Sequence, residues 1–265
     1  MKRSSILTAL AVLVVAVSGL QSCKSQYDMI LESNDLDAKY NAAFDYFNRG
    51  KYSRAAALFE SITLLTNGTE RHDTVMYYLG LSNYSYKDYY TAETNFQQYL
   101  TYFPQGDFSD MAAFLRIDCL YRATLRYELD QNPTYQAITA ISDYLRAHPE
   151  GANADICRHR LQELGERLDR KAFENARLYY KMEDYLASRV AFKNILKDNA
   201  DNVFREEILY YSAMSSYKYA EMSVREKQKE RFLVFQDDYL NFIGEYPESE
   251  HRKELDALYA KVKEN

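Results

Sequence analysis

The chain has 265 residues, enough for one large domain or two small ones. It holds only 8 Gly and 4 Pro, no Trp and 26 Tyr, which points to long helices with short connections and away from a β-rich fold. The net charge of −6 comes without a basic stripe, so nucleic-acid binding has no electrostatic footprint.

At the start of the chain, Lys2 and Arg3 precede an apolar run from Ile6 to Val17. That run is too short for a comfortable membrane span, and residues 1–22 read as a signal peptide. The segment ends Leu20-Gln21-Ser22-Cys23, which resembles the bacterial lipobox. The resemblance implies cleavage before Cys23, a diacylglycerol on its sulfur and an acyl chain such as palmitate on the new amine. One chain anchors weakly and two or more anchor stably. The mature chain would carry a net charge of −8, since the segment removed holds two basic and no acidic residues. Residues 23–35 read as a lipidated polar tether with few helix signals. Lys24-Ser25-Gln26 lacks both an Asp directly after the Cys and an acidic cluster, which favours the periplasmic face of the outer membrane.

Beyond the tether, one helix-hairpin pattern returns five times. Its clearest copy has Gly80, then Ala92, Phe96, Tyr99 and Pro104; the copy before it has Ala43, Ala55, Phe59 and Ile62. Small residues let two antiparallel helices approach, bulky ones fill the gap to the next hairpin, and proline stops the second helix. This is the tetratricopeptide pattern, so the predicted fold class is an all-α solenoid of about five helix hairpins with a C-terminal capping helix. Repeats 1–3 occupy 36–150; repeats 4 and 5 and the cap occupy 151–265. The first helix of repeat three is predicted to run through Leu129. That of repeat four is long and charged, through Tyr180. The cap runs from Ser249 to Val262. The equivalent positions Ala55, Ala92, Ala137, Ser188 and Phe235 are unevenly spaced against an ideal repeat of about 34 residues, so the later repeats carry lengthened helices.

No catalytic constellation is visible. His72, His148, His159 and His251 are scattered, and Cys157 and His159 diverge on a helix, so no catalytic residue, metal site or cofactor is expected. Cys119 and Cys157 read either as buried small apolar residues or as a disulfide between neighbouring hairpins. Most of the Tyr residues suit helix packing; the remainder suit a surface that grips peptides. In tetratricopeptide arrays, positions 5, 9 and 12 of each first helix face the concave side. Counted from Leu36 and Asp73 these are Tyr40, Phe44, Phe47, Tyr77, Leu81 and Tyr84. Such an aromatic and apolar patch marks a groove for an apolar peptide segment, unless the tether or a neighbouring helix covers the rings.

Three segments carry a more specific resemblance: Asp130-Gln131 with Pro133 and Tyr135-Gln136-Ala137-Ile138; the helix bearing Leu161, Leu164, Leu168, Lys171, Glu174, Ala176, Tyr179 and Tyr180; and Glu245-Tyr246-Pro247-Glu248-Ser249. With the lipobox Cys and five unequal repeats, they make the chain similar to the BamD (YfiO/ComL) family of outer-membrane assembly lipoproteins. Repeat four departs from that family by ending in Asn199-Ala200 in place of an aromatic-Pro pair. The resemblance implies a non-enzymatic, lipid-anchored scaffold at the periplasmic face of the outer membrane. Its partners would be the periplasmic domains of the barrel-forming assembly subunit, held by the C-terminal repeats, and unfolded β-barrel proteins, received by the N-terminal ones. It also implies a partner-facing arginine on the second helix of repeat four, where Arg189 stands. Two alternatives have a different partner: another periplasmic tetratricopeptide adaptor, for peptidoglycan synthesis or cell division, and a SusD-like glycan-binding lipoprotein. The absence of Trp weighs against the last.

Overall fold

The structure, a computed structural model, describes residues 25–264. Among these residues there are twelve α-helices and no strand. They are α1 (Gln26–Glu32), α2 (Leu36–Asn48), α3 (Tyr52–Thr63), α4 (Arg71–Tyr86), α5 (Tyr89–Tyr102), α6 (Ser109–Ala123), α7 (Asn132–Ala147), α8 (Ala154–Lys181), α9 (Tyr185–Asp198), α10 (Arg205–Glu221), α11 (Arg225–Glu245) and α12 (Arg252–Lys263). The fold is all-α, made of helix hairpins of the tetratricopeptide type. The chain divides into two compact units, one ending at Cys119 and one beginning at Leu120. No helix among the described residues is long and apolar enough to cross a membrane.

In the first unit, Ala43, Ala55, Phe59 and Ile62 are wholly buried where α2 meets α3. Ala92, Phe96 and Tyr99 are equally buried between α4, α5 and the start of α6. The close approach at Gly80 is visible in the geometry: a Cβ there would lie 2.8 Å from Phe96 Cε1. Three hairpin turns close alike. The amides of Lys51, Asp88 and Asp184 donate to the carbonyls five residues back, those of Tyr46, Asn83 and Tyr179. In each case the preceding residue (Gly50, Lys87 or Glu183) has a left-handed φ of 62–70°. This closure satisfies carbonyls that the helix end leaves open. Asp88 and Asp184 then cap the following helices, accepting from Thr91 N and Ala187 N, each at 3.1 Å.

The expected tether contains a helix. Ser25 and Asp28 form a reciprocal capping box that starts α1, and Tyr27, Ile30 and Leu31 pack on the first core cluster. A polar composition concealed those three apolar contacts.

In the second unit α8 runs 28 residues with only Ala154, Cys157, Leu164, Phe173 and Ala176 buried. Helix α10 presents Ser212, Ala213, Ser215, Ser216 and Ala220 to its neighbours, small residues that let α9 and α11 approach from both sides. The ends of α5, α7 and α11 repeat one another: Phe103, His148 and Tyr246 each donate an amide at 2.8 Å to the carbonyl four residues back, just before a proline. Helix α9 ends with the same amide bond from Asn199, and the missing proline is replaced by a side-chain anchor from Asn199 Nδ2 to Asp169 Oδ1 at 2.9 Å. Helix α6 stops at Ala123, six residues before the predicted end. The carbonyls that would have continued it are taken by α8: Arg167 reaches Leu125 O, and Lys171 Nζ reaches the carbonyls of Tyr127 (3.0 Å) and Leu129 (2.8 Å). Gln131 Nε2 adds a bond to Arg126 O at 2.8 Å.

Candidate functional site

The candidate site belongs to the first unit. Helix α2 places Tyr40, Phe44 and Phe47 on one face by their spacing of four and three, and α4 does the same with Tyr77, Leu81 and Tyr84. The Tyr40 ring lies 5.0 Å from that of Phe44 and carries the Arg71 guanidinium 4.8 Å above it. Arg71 is held there by a 2.5 Å bond to Asp37, which also raises the guanidinium pKa. Phe44 and Phe47 each meet Tyr78 edge to face, at 4.8 and 5.2 Å between centroids, and Phe44 also meets Phe59 at 5.0 Å. Leu81 and Tyr84 lean on the second core cluster, and the Tyr84 hydroxyl donates to Asp118 at 2.8 Å.

Tyr77 is a correction to the predicted groove. It is 7% exposed and stacks on Phe108 at 4.3 Å, with Phe96 and Tyr99 close by. Burial, with Tyr78 beside it, raises its phenol pKa. A neighbouring segment, here the chain leading into α6, covers that position. The remaining five side chains are half-buried, so only part of each is open on this surface. Tyr78 was not anticipated, yet it is the ring that joins Phe44, Phe47, Phe59, Tyr77 and Phe108. Its position one residue after Tyr77 gave it no place in the counted pattern.

Arg189 is also turned inward. Its Nε donates to Asp238 Oδ2 at 2.9 Å, Lys193 Nζ lies 3.1 Å from Oδ1, and Ser216 Oγ donates to Oδ2 at 2.5 Å. Asp238 is 5% exposed, and a carboxylate so buried requires such partners. The arginine predicted to face a partner therefore ties α9 to α11. A second tie, between Arg205 and both oxygens of Glu245 at 2.7 and 2.8 Å, holds the Glu245 carboxyl below its usual range. Cys23 lies outside the described residues. Cys119 and Cys157 are both buried.

The profile of the YfiO family, described as an outer membrane lipoprotein, matches residues 32–233. The chain belongs to that family. Its similarity extends to a curated protein named outer membrane protein assembly factor BamD, from Caulobacter vibrioides, at 22% identity over 204 residues; the match spans 77% of this chain and 67% of that relative. Among solved structures, a TPR repeats protein from Bacteroides fragilis aligns with a TM-score of 0.41 and 15% identity, over 87% of this chain and 99% of that one. A thermophilic TPR protein of Thermus thermophilus aligns at 0.34 and 16%, over 87% and 100%. The YfiO match covers most of the repeats but ends inside α11, so the end of α11 and the whole of α12 lie beyond it.

Proposed function

We propose that the chain is a non-enzymatic scaffold of the machinery that assembles β-barrel proteins into the outer membrane, held at the periplasmic face by acyl chains on Cys23. The observation that carries this reading is the YfiO match across residues 32–233, together with a relative named for outer membrane protein assembly. In this reading the C-terminal repeats, roughly 155–265, hold the periplasmic domains of the barrel-forming subunit. The half-buried side chains of Tyr40, Phe44, Phe47, Leu81 and Tyr84 receive apolar segments of unfolded barrel proteins, and Tyr77 and Arg189 serve packing. Rigid aromatic side chains suit an extended strand because they lose little entropy on binding.

The test is affinity capture of the full chain from detergent-solubilised membranes. A barrel protein with repeated periplasmic domains should co-purify. Capture of peptidoglycan-synthesis or division proteins in its place would move the chain to another adaptor role. Crosslinks from positions 40 and 84 to a peptide bearing a C-terminal barrel strand should form and should fade when its terminal aromatic is removed. Equal crosslinking from position 60 on α3 would remove the groove from the proposal.

A further inference from the structure

At the turn end of the first two hairpins lies a recess of about 380 Å³, walled by Gly50–Arg54 on one side and Ser85–Lys87 on the other. Three of its lining residues are cationic, Lys51, Arg54 and Lys87, and none is acidic. That is a local reversal in a chain of net charge −6. Among the described residues neither Lys51 nor Lys87 has a side-chain partner. The nearest carboxylate in sequence, Asp88, is turned to the Thr91 amide. Arg54 is fixed by ring contacts, its guanidinium 5.0 Å from the Tyr27 centroid and 5.6 Å from that of Tyr46. Tyr86, 58% exposed, stands at the rim.

The contact with Tyr27 gives this recess its place. Tyr27 is four residues from Cys23, and four residues span at most about 14 Å. If acyl chains on Cys23 enter a bilayer, Arg54 is held close to the headgroups around them. Tyrosine rings favour that level of a membrane, with the body apolar and the hydroxyl wet.

We propose that the recess of Lys51, Arg54 and Lys87 binds the phosphate of an anionic membrane lipid beside the anchor. The two ammonium groups approach the phosphate as point charges. Arg54 supplies a third charge whose position is set by Tyr27 and Tyr46. The lipid would orient the first unit on the membrane, a task the acyl chains alone cannot perform because a single attachment point leaves rotation free. The inference rests on the anchor reading of Cys23.

The test uses the full mature chain with Cys23→Ser, so that acyl chains do not mask a weaker contact. Co-sedimentation is compared on vesicles of phosphatidylcholine alone and of equimolar phosphatidylcholine and phosphatidylglycerol. The chain should favour the anionic vesicles, and Lys51→Ala with Lys87→Ala should cut that partition about 25-fold, at about five-fold per charge removed near an anionic surface. A control pair, Lys253→Ala with Lys263→Ala, should change it far less. Equal partition onto both vesicles, or an equal effect of the two double variants, overturns the proposal. So does inorganic phosphate shifting the Tyr52 and Tyr86 ring resonances at the same concentration as lipid phosphate, because the site would then be for a soluble anion. The intact mass of the wild-type chain reports acylation of Cys23 separately. An unacylated Cys23 with anionic selectivity intact removes the anchor alone; an acylated Cys23 with no selectivity removes the lipid site alone.

Discussion

Both units pack ring on ring, and the second also ties a buried carboxylate to charged side chains of another helix. The first, through Cys119, is joined by rings: Tyr78 contacts Phe44, Phe47 and Phe59, and Tyr77 stacks on Phe108. The second, from Leu120, brings charge into its packing. Asp238 lies buried among Arg189, Lys193 and Ser216, and Lys171 spends its ammonium on backbone carbonyls. Aromatic contacts tolerate small rotations of one helix against the next, because apolar contact has no direction. An ion pair at 2.9 Å does not, and a lost partner leaves an expensive charge behind. A truncation in the first unit should therefore cost in proportion to the packing it removes, whereas one in the second can also leave a charge unpaired.

The largest expected effect tests the ring side of this contrast. Phe96→Ala should cost about 3–5 kcal/mol, and hydrogen exchange should accelerate across 36–119 while 154–264 keeps its protection. Acceleration through both units would erase the distinction. Next comes the ionic side. Arg189→Ala should destabilise the second unit by about 3 kcal/mol, because Asp238 keeps only Lys193 and Ser216. Arg189→Ala combined with Asp238→Ala should recover part of that loss in denaturant melts; no recovery would mean the pair contributes no coupling. Gly80→Leu should lower stability by about 1–3 kcal/mol, since even a Cβ would sit 2.8 Å from the Phe96 ring. An unchanged melt would show that α4 and α5 can part freely.

The smallest effect depends on pH. Arg205 holds the Glu245 carboxyl below its unfolded value, so the pair's stabilisation is present above that unfolded value, near pH 4.5, and is lost as pH falls through the depressed folded one. The pair is partly exposed, so Glu245→Gln should cost well under about 1 kcal/mol at neutral pH. In strong acid the variant and the parent should melt together. A difference that persists there would belong to packing of the Glu245 side chain.

The hairpins were legible because their code is local. Small residues at Ala55, Gly80 and Ala92, and bulky ones at Phe59, Phe96 and Tyr99, fix which faces meet. The length of α8 could be read from its charged periodicity. What escaped depends on distant residues. A count along α4 puts Tyr77 on a face but cannot say that Phe108 arrives to cover it. The same holds for Arg189, whose partner lies 49 residues away, and for α6, whose end is set by side chains 42 to 44 residues further along. The helix in the predicted tether was missed for a local reason: a capping box over seven residues is a small signal in a polar segment.

The loop between α6 and α7 shows what such long reach means in time. Arg126 O finds local partners in Leu129 N and Gln131 Nε2, but the carbonyls of Leu125 and Tyr127 are supplied by Arg167 and Lys171 from the middle of α8. Until α8 has formed and docked, the carbonyls of Leu125 and Tyr127 lack these donors and turn to water. The order of the loop is thus acquired after a helix that the ribosome makes later. Until Lys171 is in place, residues 124–131 are open to a protease or a chaperone.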